Sequence, residues 1–407
     1  MWTAPPRPPA AQAIHDAAEA DCRSDPRAYS LDPDDVVARA LALGVESPDD
    51  FVEGWRGGLE QFCSSVLDDG RLGAFGRRAM RDQAASKLAF GAKVAARLAG
   101  DADRSGRQIE RPIVIVGGWR TGTTFLFRLL ATDPRLRAPL PVDLTRPWKV
   151  ADMSAAEREA FLARLDGQPN RLHELNPALR TVHDHGPRLA EECVLALGAD
   201  VRSWGLSSTV RLERYSTWLA DEDLGPSYRA YRQALQLLDE GDGRRFLLKA
   251  PAHTAELPTV AATFPGAVVV QLHRDVVETI ASGASLFAVF RSTYSDHVDP
   301  VDVGRFLTDQ TELWLRRADA FRDDTAAKGT TIVDVAYSQL VASPAAVVAR
   351  VYAAADLEPP ADVDAFIDAY HRAAPRHAHG AHRYAPEDFG LDPAAIRERF
   401  AFLAHDV

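Results

Sequence analysis

Two short stretches of this sequence carry residues that could hold phosphate groups. The first, GGWRTGTTF from Gly117 to Phe125, follows the apolar run IVIV and leads into an apolar helical pattern. A glycine-bearing turn from strand to helix aims several backbone N–H groups, and the positive end of a helix dipole, at one point, which makes an anion site. The spacing fits GxxxxG from Gly117 to Gly122, yet Thr123 stands where nucleotide hydrolases carry lysine. A threonine neither reaches a β- or γ-phosphate nor carries the charge, which argues against ATP or GTP hydrolysis by the usual route. The cation is Arg120, inside the loop, where it would address the first phosphate or the group attached to it. The second stretch, HRDVVETIAS, places Arg274 at the end of a strand-like run and Ser282 eight residues on, along the following helix. A guanidinium and a hydroxyl bind phosphate by charge-assisted hydrogen bonds. Two anion sites at the ends of two strands suggest a nucleotide bearing phosphates at both its 5′ and 3′ positions.

Candidate bases cluster in TVHDHGPRLAEEC, which offers His183, His185, Glu191 and Glu192. Histidine titrates near neutrality and suits deprotonation of a hydroxyl. Lys249, at the end of the run RFLLK, either reaches the reacting groups or faces solvent, and both readings stay open. His253, shortly after it, reads more simply as a helix-start residue.

The elements that must position these residues follow from periodicity. Strand candidates are IVIVGG from Ile113, RFLLKAP (Arg245 to Pro251), AVVVQLHR (Ala267 to Arg274) and TTIVDVAY (Thr330 to Tyr337), each followed by a helical pattern. Strands alternating with helices imply an α/β fold: a mostly parallel, P-loop-type sheet flanked by helices. Apolar residues three and four apart from Asp32 to about Ala99 predict a helical collar. A long helical stretch between the first two strands holds Trp148, His183, His185, Trp204, Tyr215, Trp218, Tyr228 and Tyr231. Insertions there lie over the carboxyl edge of the sheet, where ligands bind, so an acceptor pocket is expected in it; for any single aromatic, helical core is the plainer reading. The proline-rich start, MWTAPPRPPAAQ, predicts a disordered or loose tail over residues 1–31, ahead of one α/β domain over 32–407 with its collar in 32–110.

The bulk properties narrow the class. The 407 residues are 46% hydrophobic and 26% charged, those of an ordinary globular protein. A net charge of -11 argues against non-specific binding to nucleic acid or an anionic membrane. Three separated cysteines show no CxxC spacing, so neither a zinc knuckle nor a disulfide framework is indicated. With no signal-like or membrane-spanning run, a soluble cytoplasmic protein is expected.

The combined motifs resemble those of sulfotransferases that use 3′-phosphoadenosine 5′-phosphosulfate, of the bacterial branch with a long helical N-terminal region. GGWRTGTTF resembles that family's 5′-phosphosulfate loop and HRDVVETIAS its 3′-phosphate motif; AEEC at Ala190, LLKAPAH at Leu247 and HGAHRYAPEDFGL at His379 also match. The resemblance runs from about Asp32 to Phe402. It implies that Arg120, Thr121, Gly122, Thr123 and Thr124 cradle the phosphosulfate, that Arg274 and Ser282 hold the 3′-phosphate, and that Phe125 lies near the adenine. His379 and Gly380 fall where relatives often show Arg-Lys-Gly, and Trp119 where they usually show proline. The chemistry implied is sulfuryl transfer, without a metal, to a hydroxyl of a small acceptor. The aromatics favour a hydrophobic one, such as a lipid, a phenol or a secondary metabolite. Arg120 is expected at the bridging oxygen, Lys249 at the sulfonate or acceptor, and His183 as base with Glu192 as second candidate. Two rivals remain, an ATP-dependent P-loop phosphotransferase and a nucleotide-binding module without catalysis.

Overall fold

The structure is a computed structural model that describes residues 2–182, 184–322, 324, 329–374 and 384–403. Its centre is a sheet of five strands: β1 (Ile113–Gly117), β2 (Leu136–Arg137), β3 (Arg245–Lys249), β4 (Val268–His273) and β5 (Thr331–Ala336). Their order is β2-β3-β1-β4-β5, and every pairing is parallel. The four strands expected from sequence are present. The two-residue edge strand β2 gives too short a pattern to be read in advance.

Alternation along the strands divides the core. Ile113 and Ile115 of β1, with Val268, Val270 and Leu272 of β4, face one side, where they meet α5 (Thr123–Leu130) and α9 (Pro344–Ala354). Val114, Val116 and Val269 face the other, in the larger core to which α6 (Gly225–Leu238), α7 (Val276–Ser292) and α8 (Pro300–Arg322) also contribute. Burial on both faces explains why these strands read as unbroken β-branched runs. Each such side chain taken fully from water contributes about 1.5–3 kcal/mol.

The collar consists of α2 (Pro33–Leu41), α3 (Trp55–Asp69) and α4 (Ala74–Ala99). Asp32 caps α2, its carboxylate accepting from the Asp34 N–H at 2.9 Å.

The expected loose tail is corrected: α1 spans Pro9–Ser24 and packs on α4, with Ala11, His15 and Ala18 buried. Proline at the first helical position is compatible with a helix, because the N–H it lacks has no intrahelical partner. From there the alanine-rich segment presents Ala11, His15 and Ala18 at helical spacing, a signal masked by the prolines before it. The Arg7–Asp296 ion pair at 2.7 Å anchors the segment further.

His253, after β3, is fully buried, and its Nδ1 lies 2.8 Å from the Tyr228 hydroxyl. Burial pushes its pKa down to about 3 from 6.5. The imidazole is therefore neutral core. Below pH 6.5 the unfolded chain takes up a proton that the folded chain refuses, so stability falls by about 1.4 kcal/mol per pH unit from this group until about pH 3. Urea unfolding of wild type and His253→Gln should show the variant losing less stability between about pH 6.5 and pH 4.5. Parallel losses would mean that His253 is not the titrating group.

Candidate active site

The loop after β1 stands at the carboxyl edge of the sheet, between β3 and β4. Gly117, Arg120 and Gly122 all have positive φ, at 136°, 59° and 95°. At Gly122 the conformation favours glycine, and a Cβ there would also lie 2.6 Å from Leu340 Cδ2. Arg120 holds a left-handed conformation without that excuse, a local strain of order 1 kcal/mol. The turn is fixed from within, the Thr121 hydroxyl donating to the Gly118 carbonyl at 2.7 Å. It is also fixed from behind, the Gly117 N–H donating to Thr254 Oγ1 at 3.1 Å. The chain then enters α5 with Thr123 as its first residue, so free N–H groups at the helix start point out of the loop. The side chains of Arg120 and Thr124 are exposed, and Thr123 is buried.

Lys249 ends β3, beside the loop, with Ile115 of β1 opposite it in register. It is 2% exposed, which removes the solvent-facing reading. Its amino group donates to Thr124 Oγ1 at 3.1 Å and pairs with the Glu192 carboxylate. Thr124, Lys249 and Glu192, distant in sequence, thus meet at the start of α5. Glu191 beside them is 4% exposed, accepting from the Glu192 N–H at 2.8 Å and lying 2.8 Å from His185 Nδ1. Arg128 of α5 donates to the Asp184 carbonyl at 2.7 Å, tying the histidine segment to the loop helix. Cys193 is buried with its thiol pushed up to about 11 by that burial, and it accepts from the Tyr231 hydroxyl at 3.0 Å.

Arg274 follows β4 and turns back to the loop. Its guanidinium donates to the Arg120 carbonyl at 2.9 Å and stacks over the Tyr337 ring at 4.4 Å. Ser282 lies two turns along α7 and is 2% exposed. Phe125 stacks on His371 of α10 (Val363–Ala373), with ring centroids 5.5 Å apart. His183, His379 and Gly380 lie outside the described residues.

A cavity of about 380 Å³ opens beside this cluster, bordered by His185, Glu191 and Glu192 and walled by Trp204, Leu286, Phe287 and Trp314. Of the aromatics and histidines expected to form such a pocket, His185 and Trp204 line it. Tyr215, Tyr228 and Tyr231 are buried core, Trp148 packs on Phe90, and Trp218 packs on Tyr215. Sequence reasoning missed the walls supplied by α7 and α8, and it missed the contribution of the collar. Lys87 of α4 borders the cavity and donates to the carbonyls of Val194, Leu195 and Leu197 at 2.9, 2.9 and 2.5 Å. Burial lowers its pKa to about 7. Nothing in the spacing of α4 announced these contacts, because they depend on how the collar docks.

Trp119 also lines this cavity. It stacks on Trp314 with centroids 5.4 Å apart and sits against Gly283, where a Cβ would fall 2.7 Å from its ring. A tryptophan at this loop position is accommodated because α7 has glycine opposite it.

Comparison with known proteins agrees with this geometry. The family model for the sulfotransferase family matches residues 112–361. Among curated proteins, the omega-hydroxy-beta-dihydromenaquinone-9 sulfotransferases Stf3 of Mycobacterium bovis and Mycobacterium tuberculosis are each 25% identical over 263 residues, or 58% of this chain. The match spans 63% of the length of those relatives. The crystal structure of sulfotransferase STF1 from Mycobacterium tuberculosis H37Rv superposes with a TM-score of 0.76 at 26% identity, covering 91% of this chain and 98% of that one. Sulfotransferase STF9 from Mycobacterium avium shares the fold at a TM-score of 0.74 and 24% identity, over 91% and 95% of the two chains. With its matched region holding the whole sheet, the loop after β1 and the Lys249–Glu192 pair, this chain belongs to the sulfotransferase family.

Proposed function

We propose that the protein transfers a sulfuryl group from 3′-phosphoadenosine 5′-phosphosulfate to a hydroxyl of a small, mainly apolar acceptor. The observation that carries this reading is the convergence of two anion-binding elements, the loop after β1 and Arg274, on one edge of the sheet beside an apolar cavity that holds a histidine and two carboxylates. The residues fit such a donor: the positive-φ loop leaves helix N–H groups free, and Arg120 and Arg274 add cations where two phosphates would lie. The Stf3 relatives are named for a hydroxylated menaquinone derivative, which accords with an apolar alcohol as acceptor.

The nucleotide, a co-substrate, supplies the sulfuryl group. Thr121, Gly122, Thr123 and Thr124 bind its 5′ end through backbone N–H groups and hydroxyls, Arg274 and Ser282 its 3′-phosphate, and Phe125 its base. Arg120 stabilises the charge that grows on the departing phosphate oxygen. Lys249, desolvated and already polarised by Glu192, serves the transferring oxygens in the same way. His185 receives the acceptor proton. Because Glu191 holds Nδ1, the proton on that nitrogen points at the carboxylate and Nε2 is the basic nitrogen. His183 is the alternative base of the same segment.

Calorimetric titration with 3′-phosphoadenosine 5′-phosphate, without magnesium, tests the donor. Wild type should bind it, and Arg274→Ala should bind at least about tenfold more weakly. Binding of ATP with magnesium in its place would turn the reading toward a phosphotransferase. For the base, His185→Ala should lower kcat by about 10²–10⁴ while donor affinity stays within about twofold. If His183→Ala shows that loss and His185→Ala does not, the base is His183.

A further inference from the structure

The collar reaches the site at the sheet edge through Lys87 of α4. Its amino group faces three backbone oxygens, the carbonyls of Val194, Leu195 and Leu197, at 2.9, 2.9 and 2.5 Å. A lysine ammonium has three N–H donors and no acceptor, so all three are used. One turn along the same helix Gly91 packs against Ala199, where a Cβ would stand 3.1 Å from the alanine Cβ. The collar helix therefore docks on the segment from Val194 to Ala199 by one polar and one steric contact.

That segment continues directly from the two glutamates. Cys193–Leu195 form a single 3-10 turn with Glu192 before it, and the Leu195 N–H donates to the Glu192 carbonyl at 3.2 Å. Two of the carbonyls that Lys87 holds thus belong to the turn that Glu192 opens. From the opposite side, the Cys193 thiol accepts from the Lys249 backbone N–H at 3.3 Å and from the Tyr231 hydroxyl at 3.0 Å, while the Glu192 carboxylate pairs with the Lys249 amino group. The turn is strung between two lysines, one from β3 and one from the collar. Among the described residues Lys249 is the one ion-pair partner of Glu192, so the line along which the carboxylate approaches it is set by this backbone. Without the Lys87 ammonium three carbonyls lose their donor, and the turn must shift to satisfy them elsewhere.

We infer that Lys87 is a positioning residue: it holds the turn after Glu192 so that the carboxylate stays on Lys249. The collar thereby sets the geometry of a cation at the sheet edge. The importance of that cation for transfer rests on the role given to Lys249 in the proposed reaction, whereas the coupling between the two lysines can be read without it.

The chain has five lysines, few enough for each ammonium to be assigned by substitution in NMR spectra of the full chain labelled with ¹³C and ¹⁵N in lysine alone. At about pH 6, below the value of about 7 to which burial lowers Lys87, that side chain carries its three N–H donors. In wild type the Lys249 ammonium, 2% exposed and paired, should exchange slowly with water and give a cross-peak. Lys87→Met should abolish this cross-peak. Lys93→Met, which removes an α4 lysine bound to the Leu43 carbonyl instead, should leave it in place. In the reverse direction, Glu192→Gln should shift the Lys87 signal, because a coupling between two groups acts both ways. Thermal melts establish that each variant is folded. A Lys249 cross-peak missing from wild type, or unchanged in Lys87→Met, overturns the inference. So does its loss in Lys93→Met as well, which makes the effect a general loosening of the collar. If Lys87→Met does not fold, the Glu192→Gln spectrum decides, and an unmoved Lys87 signal there overturns the coupling. These spectra use neither nucleotide nor acceptor, so failure here is distinct from failure of the proposed reaction.

Discussion

A lysine ammonium held out of water at the end of β3 constrains the whole site. Taking such a charge from solvent costs several kcal/mol unless partners surround it, and removing one partner of a buried pair costs about 3–5 kcal/mol. Lys249 meets that condition with the Glu192 carboxylate and Thr124 Oγ1. The first partner comes from the insertion that follows β2, the second from the first turn of α5. Satisfying one cation therefore fixes where the insertion crosses the sheet edge and how the loop helix is turned. Glu191, His185 and the cavity wall follow from that placement, with Lys87 of the collar gripping the carbonyls just beyond.

The loop solves the absence of a helix-start lysine by distributing charge. Arg120 stays exposed, Arg274 reaches back from β4 to its carbonyl, and Lys249 comes from β3. Three strands thus contribute one cation each to the edge at which β1 ends. A parallel sheet permits this because all its carboxyl ends share one side. Trp119 then links the loop to α7 and α8, so that the loop and the cavity beside Glu192 share a wall.

Much of the fold was legible from residue order alone. Four β-branched runs became β1, β3, β4 and β5, and the apolar repeats from Asp32 became α2 to α4. The tail was misjudged because proline content outweighed the helical spacing of Ala11, His15 and Ala18. Within the site, Arg120, Thr124, Lys249, Glu192 and Arg274 were singled out beforehand and do converge, whereas most of the aromatics expected to line the acceptor cavity are core. Their hydrophobicity was readable. Whether a ring ends in a cavity wall or in the interior depends on the side its helix presents, and Tyr215, Tyr228 and Tyr231 turned inward.

By itself the sequence determined the sheet class, the glycine-bearing strand-to-helix loop and its lack of a hydrolase lysine, because these rest on local periodicity and on what one side chain can reach. Tertiary structure decided which charges are buried and which rings meet. Lys249 lost its solvent-facing option only when Glu192 and Thr124 closed over it. The cavity walls came from α7, α8 and the collar, since contacts between segments a hundred or more residues apart leave no periodic trace along the chain.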